Sequence, residues 1–218
     1  MSADGVHGAW VPVEEEPVHR ELFRNDLVRV YEARIDPGSV TLDHRHDRDT
    51  VYVIVRGGTF RSDNAGRWRS RTALGRSVGV PRTLWWLLRR LTVGWLTMPA
   101  GTVLWQPHAS YPLIHRVTGS PRNDQAVRML GIELRQDRPP RRMPTLPGVQ
   151  LEYASSRTST YRLSGTQPIP LQSDAILTVI RGVVITPRAG CITAGATVWL
   201  AEGETALSDD PTMLAWVC

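Results

Sequence analysis

The amino-acid sequence predicts an all-β protein built as an antiparallel sandwich or barrel. Short runs of alternating or β-branched residues recur along the chain, and glycine or proline turns separate them. The clearest runs are Val28–Ile35, Val51–Val55 and Val127–Leu134. Short strands at such close spacing are typical of sandwiches and barrels.

The composition is that of a folded chain and excludes several kinds of site. The 218 residues are 41% hydrophobic and 22% charged, which is enough to bury a core. All 26 basic residues are arginine, so Schiff-base catalysis and lysine-dependent phosphate loops are excluded. Two cysteines are too few for a disulfide scaffold or a four-cysteine zinc site. Histidine, carboxylate and arginine are left as the candidate chemical groups.

A net charge of +5 raises the question of nucleic-acid binding, which we do not predict because no DNA- or RNA-binding motif accompanies the charge. Near the start of the chain, Glu14–Glu16 stands where a signal peptide would be basic or apolar. The longest apolar stretch, Leu84–Met98, contains Arg89 and Arg90 and is shorter than the roughly 20 residues of a membrane span. We expect a cytoplasmic monomer or homodimer that takes a small-molecule substrate and has no nucleic-acid or membrane partner.

Three segments of the first half recur in the same order in the second half, which indicates an internal duplication. The pairs are Tyr52–Gly57 with Leu177–Gly182, Ala100–Trp105 with Ala194–Trp199, and the run from Arg128 with the run from Thr212. We therefore predict an N-terminal arm over residues 1–24, a first barrel over 25–135 and a second half over 151–218. Residues 136–150 contain four prolines and are predicted to form a linker.

An arginine-rich insertion is predicted in the first barrel over about residues 61–93. It carries eight arginines and one acidic residue, so it holds a net charge of +7 while the remainder of the chain is slightly acidic. Its apolar residues permit a short amphipathic helix or an irregular segment. Packing or dimer contact is the favoured role, and a flap over the barrel mouth is the alternative.

The segment His44-Arg45-His46 carries the strongest chemical signal. Side chains alternate along a strand, so both imidazoles are expected on one face, where they can bind a single metal ion. The spacing of Gly38, His44, His46, Thr50 and Gly57 resembles the first motif of the cupin superfamily.

That resemblance implies a double-stranded β-helix, or jelly roll, with a metal inside the barrel. Together with the duplication it implies a bicupin with one metal-binding half and one degenerate half, because the second half contains no histidine. Thr50 stands where the cupin motif usually has a glutamate ligand. The neighbouring Asp49 is expected to face the opposite side of the strand.

The resemblance also implies one more histidine ligand from a later strand. We favour His115, which precedes a turn and the strand Val127–Leu134, and keep His108 as the alternative. His7 and His19 fall in the N-terminal arm and are interpreted as surface residues. The predicted ligands are therefore His44, His46 and His115.

Three-histidine cupin sites resemble those of thiol and diketone dioxygenases. The leading prediction is thus a metal-dependent enzyme, an Fe(II) dioxygenase that acts on a small anionic molecule. Zn, Mn, Ni or Cu could also bind such imidazoles. The alternatives are a redox-neutral isomerase, dehydratase, lyase or cyclase, and a non-catalytic cupin that binds a small molecule.

Further side chains near the motif are candidates for catalysis and substrate binding. Tyr52 shares a strand face with His46 and could orient the substrate, while Tyr52 or Asp49 could move protons. The candidate substrate-binding residues are Arg116, Arg56 and Trp105; either arginine could pair with a carboxylate.

Overall fold

The computed structural model describes residues 9–64, 94–137, 143, 145–164, 168–171, 174–208 and 213–217. These residues form nineteen β-strands and no α-helix, which confirms the predicted all-β class. Within the same ranges, no helix is long and apolar enough to cross a membrane. The chain divides into a first unit, residues 1–135, and a second unit, residues 136–218.

The first unit consists of two five-stranded sheets, with strand orders β1-β4-β9-β6-β7 and β2-β3-β10-β5-β8. Its strands are β1 (Val11–Pro12), β2 (His19–Arg24), β3 (Val28–Ile35), β4 (His44–His46), β5 (Thr50–Arg56), β6 (Gly58–Asn64), β7 (Trp95–Met98), β8 (Val103–Gln106), β9 (Leu113–Gly119) and β10 (Val127–Leu134). The strands predicted at Val28–Ile35 and Val127–Leu134 are confirmed with the same bounds, and Val51–Val55 lies inside β5.

The second unit has sheets of order β11-β12-β19-β14-β17 and β13-β18-β15-β16. Its strands are β11 (Val149–Ala154), β12 (Ser159–Leu163), β13 (Ile169–Pro170), β14 (Ala175–Val179), β15 (Val183–Thr186), β16 (Gly190–Thr193), β17 (Thr197–Leu200), β18 (Thr205–Ser208) and β19 (Met213–Val217). The three sequence repeats fall on β5 and β14, β8 and β17, and β10 and β19. Each pair has the same place in its sheet, so the two units repeat one topology.

Three predicted boundaries differ from the structure. Within the predicted arm over residues 1–24, β1 pairs with β4 and β2 pairs with β3, so these two strands belong to the sheets of the first unit. β2 is largely exposed and shows no apolar alternation, which hides it from a pattern reading. The predicted linker contains the start of β11 and also Met143, which is buried in the core of the second unit. Residues 61–64 belong to β6, and residues 65–93 of the predicted insertion lie outside the described residues.

Four residues lie side by side across the second sheet of the first unit, one on each of four neighbouring strands. Strand register aligns Tyr31 on β3, Gly131 on β10, Tyr52 on β5 and Leu104 on β8. The Tyr31 ring occupies the space above Gly131, since a Cβ atom there would lie 2.1 Å from the Tyr31 Cζ atom. Because Gly131 has no side chain, the Tyr31 ring can lie across β10 and approach Tyr52.

We predict that Gly131→Ala destabilises the protein, because the added methyl group overlaps the buried Tyr31 ring. Overpacking of a rigid core costs about 1–3 kcal/mol. Urea unfolding would measure the loss, with Tyr31→Ala as the background that removes the obstacle. The same destabilisation by Gly131→Ala with and without the Tyr31 ring would contradict this explanation.

Candidate metal centre

Strands β4 and β9 bring three of the histidines together. His44 and His46 are 0% and 1% exposed, on the same face of β4, as alternation predicts. Register places His115 of β9 directly opposite His44. The ring centroid of His44 lies 4.9 Å from that of His46 and 4.5 Å from that of His115, while His46 and His115 are 5.1 Å apart. The three residues predicted as ligands therefore form one cluster.

His19 also belongs to this cluster, so its interpretation as a surface residue is wrong. It is 8% exposed, because β2 is part of the barrel and carries the imidazole inward. Its ring centroid lies 4.5 Å from that of His44 and 5.8 Å from that of His46. Donor nitrogens of His19, His44 and His46 all lie within 4.8 Å of one another. His7 lies outside the described residues.

Two of the rings are fixed through their Nδ1 atoms by the segments that precede β2 and β4. His44 Nδ1 donates to the carbonyl oxygen of Leu42 at 2.9 Å. His19 Nδ1 donates to the Glu16 carboxylate at 2.6 Å. These hydrogen bonds select the tautomer in which Nδ1 carries the proton and Nε2 keeps a free lone pair that can bind a metal.

The other two rings are fixed in the same manner by hydroxyl groups. His46 Nδ1 lies 3.2 Å from the Tyr52 hydroxyl, and His115 Nδ1 lies 2.8 Å from the Ser62 hydroxyl. The Nε2 atoms of His44 and His115 are buried and lack a hydrogen-bond partner among the described residues. A buried polar atom without a partner is costly, and a bound metal would satisfy both nitrogens.

Burial keeps the imidazoles of His44, His46 and His115 neutral by lowering their pKa values. Burial, with repulsion from His19, lowers the pKa of His44 to about 4. Burial, with repulsion from neighbouring imidazoles, also lowers the pKa values of His46 and His115 well below the ordinary value. Neutral imidazole is the form that binds metal, and it suits Zn, Cu, Fe and Ni. The buried donors thus fit a metal ion.

Glu16 stays ionised beneath His19. Burial by itself raises the pKa of this carboxyl, but the hydrogen bond from His19 and the backbone N–H groups of Leu42 and Val18 lower it overall. Those N–H groups donate at 3.2 Å and 2.9 Å respectively. The carboxylate therefore holds both the His19 ring and the segment whose carbonyl positions His44.

Tyr52 and His108 form a layer behind His46. The Tyr52 hydroxyl lies 3.2 Å from His108 Nε2 and 3.5 Å from the Tyr31 hydroxyl, in addition to its contact with His46. The ring of His108 stacks on that of His46 at 5.2 Å between centroids. The Nε2 atom of His108 is thus already bonded to Tyr52, whereas that of His115 has no hydrogen-bond partner in the described part of the chain. Burial raises the pKa of Tyr52, so its hydroxyl keeps its proton.

The side chains of Asp49 and Thr50 form hydrogen bonds with backbone groups. The Asp49 carboxylate accepts a 2.8 Å hydrogen bond from the N–H of Ala109, which holds the loop that carries His108. Thr50 is fully buried, and its hydroxyl donates to the carbonyl oxygen of Arg48 at 2.8 Å. The position of the usual motif glutamate therefore supplies no carboxylate.

The structure does not bring the three predicted substrate-binding residues to the cluster. Arg116 faces the opposite side of β9 from His115 and is exposed, with its Nε donating to Asp43 at 2.9 Å. Arg56 is exposed at the end of β5. Trp105 is half-buried on the opposite face of β8 from Leu104, which packs in the core with Tyr52. Strand alternation turns Arg116 and Trp105 away from the site.

We predict that the metal-free protein loses stability as the pH falls from about 6.5 toward about 4. In this window the unfolded chain protonates His44, whereas burial has lowered the pKa of the folded residue to about 4. Stability is complete above the unfolded pKa and declines below it, by about 3 kcal/mol for a shift of this size. His46 and His115 act in the same direction.

Urea unfolding of chelator-treated protein at about pH 7.5 and about pH 5 would measure this dependence. His44→Asn removes one titrating group and should flatten the dependence. Equal free energies of unfolding for the unmodified protein at both pH values would contradict the prediction.

No protein-family model and no curated protein matches the sequence. Solved structures do match it. The pirin YhhW of Escherichia coli in complex with nickel(II) is 15% identical, with 91% of this chain and 89% of that chain covered and a TM-score of 0.56. YhaK of Escherichia coli is 14% identical, with 90% and 86% covered and a TM-score of 0.50.

A variant of salicylate 1,2-dioxygenase from Pseudoaminobacter salicylatoxidans, in complex with gentisate, also matches. It is 10% identical, with 93% of this chain and 74% of that chain covered and a TM-score of 0.56. At such identities the likeness concerns the fold. The repeated topology of the two units and these structural neighbours show that the chain has the predicted double-stranded β-helix, or jelly-roll, fold.

Proposed function

We propose that the chain is a metal-dependent enzyme, an Fe(II) dioxygenase that acts on a small anionic molecule. The carrying observation is the buried cluster of neutral imidazoles, in which the Nε2 atoms of His44 and His115 have no hydrogen-bond partner in the described part of the chain. Support comes from the fold, which is shared with a nickel-bound pirin and with a dioxygenase that binds gentisate.

His44, His46 and His115 would hold the metal through Nε2. Fe(II) bound there would supply Lewis acidity and electron-transfer chemistry with O₂. The chain contributes a dry, fixed set of donors, because each ring has its Nδ1 atom already bonded. Fixed donors need no rearrangement when the substrate enters.

The charge of the centre favours an anionic substrate. Imidazole ligands are neutral, so they leave the charge of a divalent ion without compensation, unlike a set that includes glutamate. Neither Arg116 nor Arg56 lies at the cluster to pair with an acid. The metal itself would therefore attract the carboxylate or phenolate of a chelating substrate.

Tyr52 acts in this proposal as a positioning residue for His46. Its hydroxyl is buried between His46 Nδ1 and His108 Nε2, at 3.2 Å from each. A partner at Nδ1 fixes the orientation of a ligating ring and its basicity. The Tyr52 hydroxyl therefore orients the ligand His46, whereas the sequence predicts that it orients the substrate.

We expect His44→Ala and His46→Ala to abolish stoichiometric binding of Fe(II) or Ni(II). Each removes a buried donor from the cluster. Arg45→Gln is the matched control, because Arg45 lies between them on the opposite face of β4, against Trp10. Elemental analysis after anaerobic loading and desalting would measure the content. Metal content unchanged in both alanine variants would contradict the proposed centre.

The reaction type is tested by oxygen uptake. Protein loaded with Fe(II) should consume O₂ when a chelating aromatic acid such as gentisate is added, and His46→Ala protein should not. Conversion of such an acid without oxygen uptake would favour the redox-neutral alternative. Binding without conversion would favour the non-catalytic alternative.

We predict that Tyr52→Phe weakens metal binding roughly 10- to 100-fold, the usual range for loss of a partner that orients a ligand. Chelator competition would measure the affinity. Tyr31→Phe is the comparison, since the Tyr31 hydroxyl is 3.5 Å from His46 Nδ1 and should have a smaller effect. An affinity equal to that of the unmodified protein in Tyr52→Phe would contradict a positioning role.

A further inference from the structure

We infer that His19 is a fourth metal ligand, which replaces the glutamate of the cupin motif, and that Glu16 positions it. The inference rests on the proposed metal centre and specifies its ligand set. That set is four imidazoles, contributed by β2, β4 and β9, in place of three imidazoles and a carboxylate. The segment before β3 would thus complete the site.

Donor nitrogens of His19, His44 and His46 all lie within 4.8 Å of one another, which is close enough for the three rings to share one ion. The His19 ring is as close to His44 as the His115 ring is, at 4.5 Å between centroids. A ring 8% exposed, packed against two proposed ligands, is in the ligand sphere rather than on the surface.

The position of the usual motif glutamate is occupied by a residue that carries no carboxylate. Thr50 holds that position in the sequence, is fully buried, and gives its hydroxyl proton to the Arg48 carbonyl. A threonine cannot supply the missing anionic donor. The cluster instead gains a neutral nitrogen donor from β2, the strand that pairs with β3.

Glu16 is a buried carboxylate that lies next to His19. This carboxylate is 3% exposed, and it accepts a hydrogen bond from the His19 ring at 2.6 Å. Burying a carboxylate is expensive unless its charge is compensated. A carboxylate that accepts from Nδ1 of a ligating histidine is a recurring feature of metal sites, where it fixes the ring and strengthens the donor.

Glu16 also reaches a second ligand. Its other oxygen accepts from the N–H of Leu42 at 3.2 Å, and the Leu42 carbonyl accepts from His44 Nδ1 at 2.9 Å. One buried carboxylate therefore orients His19 directly and His44 through one residue of backbone. The negative charge of Glu16 would therefore lie next to a metal ligand, instead of on an atom that binds the metal.

The inference predicts distinct effects on Cu(II) binding, measured by chelator competition, and on the number of coupled imidazoles, measured by pulsed electron paramagnetic resonance. His19→Ala should bind at least about tenfold more weakly and lose one coupled imidazole. Glu16→Gln should bind roughly 10- to 100-fold more weakly yet keep the same number of imidazoles. Glu15→Gln is the matched control, since Glu15 is the exposed neighbour, and should match the unmodified protein.

Failure of this inference is distinguishable from failure of the proposed function. If His44→Ala binds Cu(II) as the unmodified protein does, the metal centre itself is overturned. If His44→Ala loses the metal but His19→Ala and Glu16→Gln retain normal affinity and imidazole count, only the role of His19 is overturned. Circular dichroism and urea unfolding of the metal-free variants confirm that they fold, and His19→Gln replaces His19→Ala if the alanine variant does not.

Discussion

The packing of five imidazole rings together inside the first unit, four of them buried, is the constraint on which the rest of this structure depends. The rings are those of His19, His44, His46, His108 and His115. Each buried ring carries two nitrogens that need partners, and an unsatisfied one costs about 1–3 kcal/mol. A backbone carbonyl, a carboxylate and two hydroxyls bond the Nδ1 atoms of the four clustered rings. The strands and segments that carry these partners must therefore lie where they can reach the cluster.

The hydrogen bonds around the cluster explain features of the first unit that a barrel without buried histidines would not require. Gly131 is needed because the Tyr31 ring crosses it to reach Tyr52 and His46. Asp49 is buried because it holds the N–H of Ala109 and, with it, the loop of His108. The isolated parallel pairing of β1 with β4 fastens the segment that leads to Glu16 beside the strand of His44 and His46. The site and the fold are thus stabilised by the same hydrogen bonds.

The sequence predicted the parts of this arrangement that follow from local periodicity. Alternation placed His44 and His46 on one face, and the motif spacing identified the fold. What it could not predict depends on contacts between distant strands. His19 lies on a strand without an apolar pattern, so its inward direction follows only from the pairing of β2 with β3. The direction of the Arg116 side chain could not be predicted for a related reason. It depends on the register of β9 with β4, which the sequence alone does not provide.

The second unit shows what the same topology does without a site to maintain. β13 has the place in its sheet that β4 has in the first unit, and there the buried side chains of alternate residues are Ile169 and Leu171 instead of His44 and His46. Burying an aliphatic side chain stabilises a fold by about 1.5–3 kcal/mol, whereas burying an imidazole requires a partner for each nitrogen. An apolar interior is therefore the less demanding solution for this topology. In the first unit, two buried Nε2 atoms, those of His44 and His115, lack protein partners among the described residues, and these are the atoms that the proposed metal would satisfy.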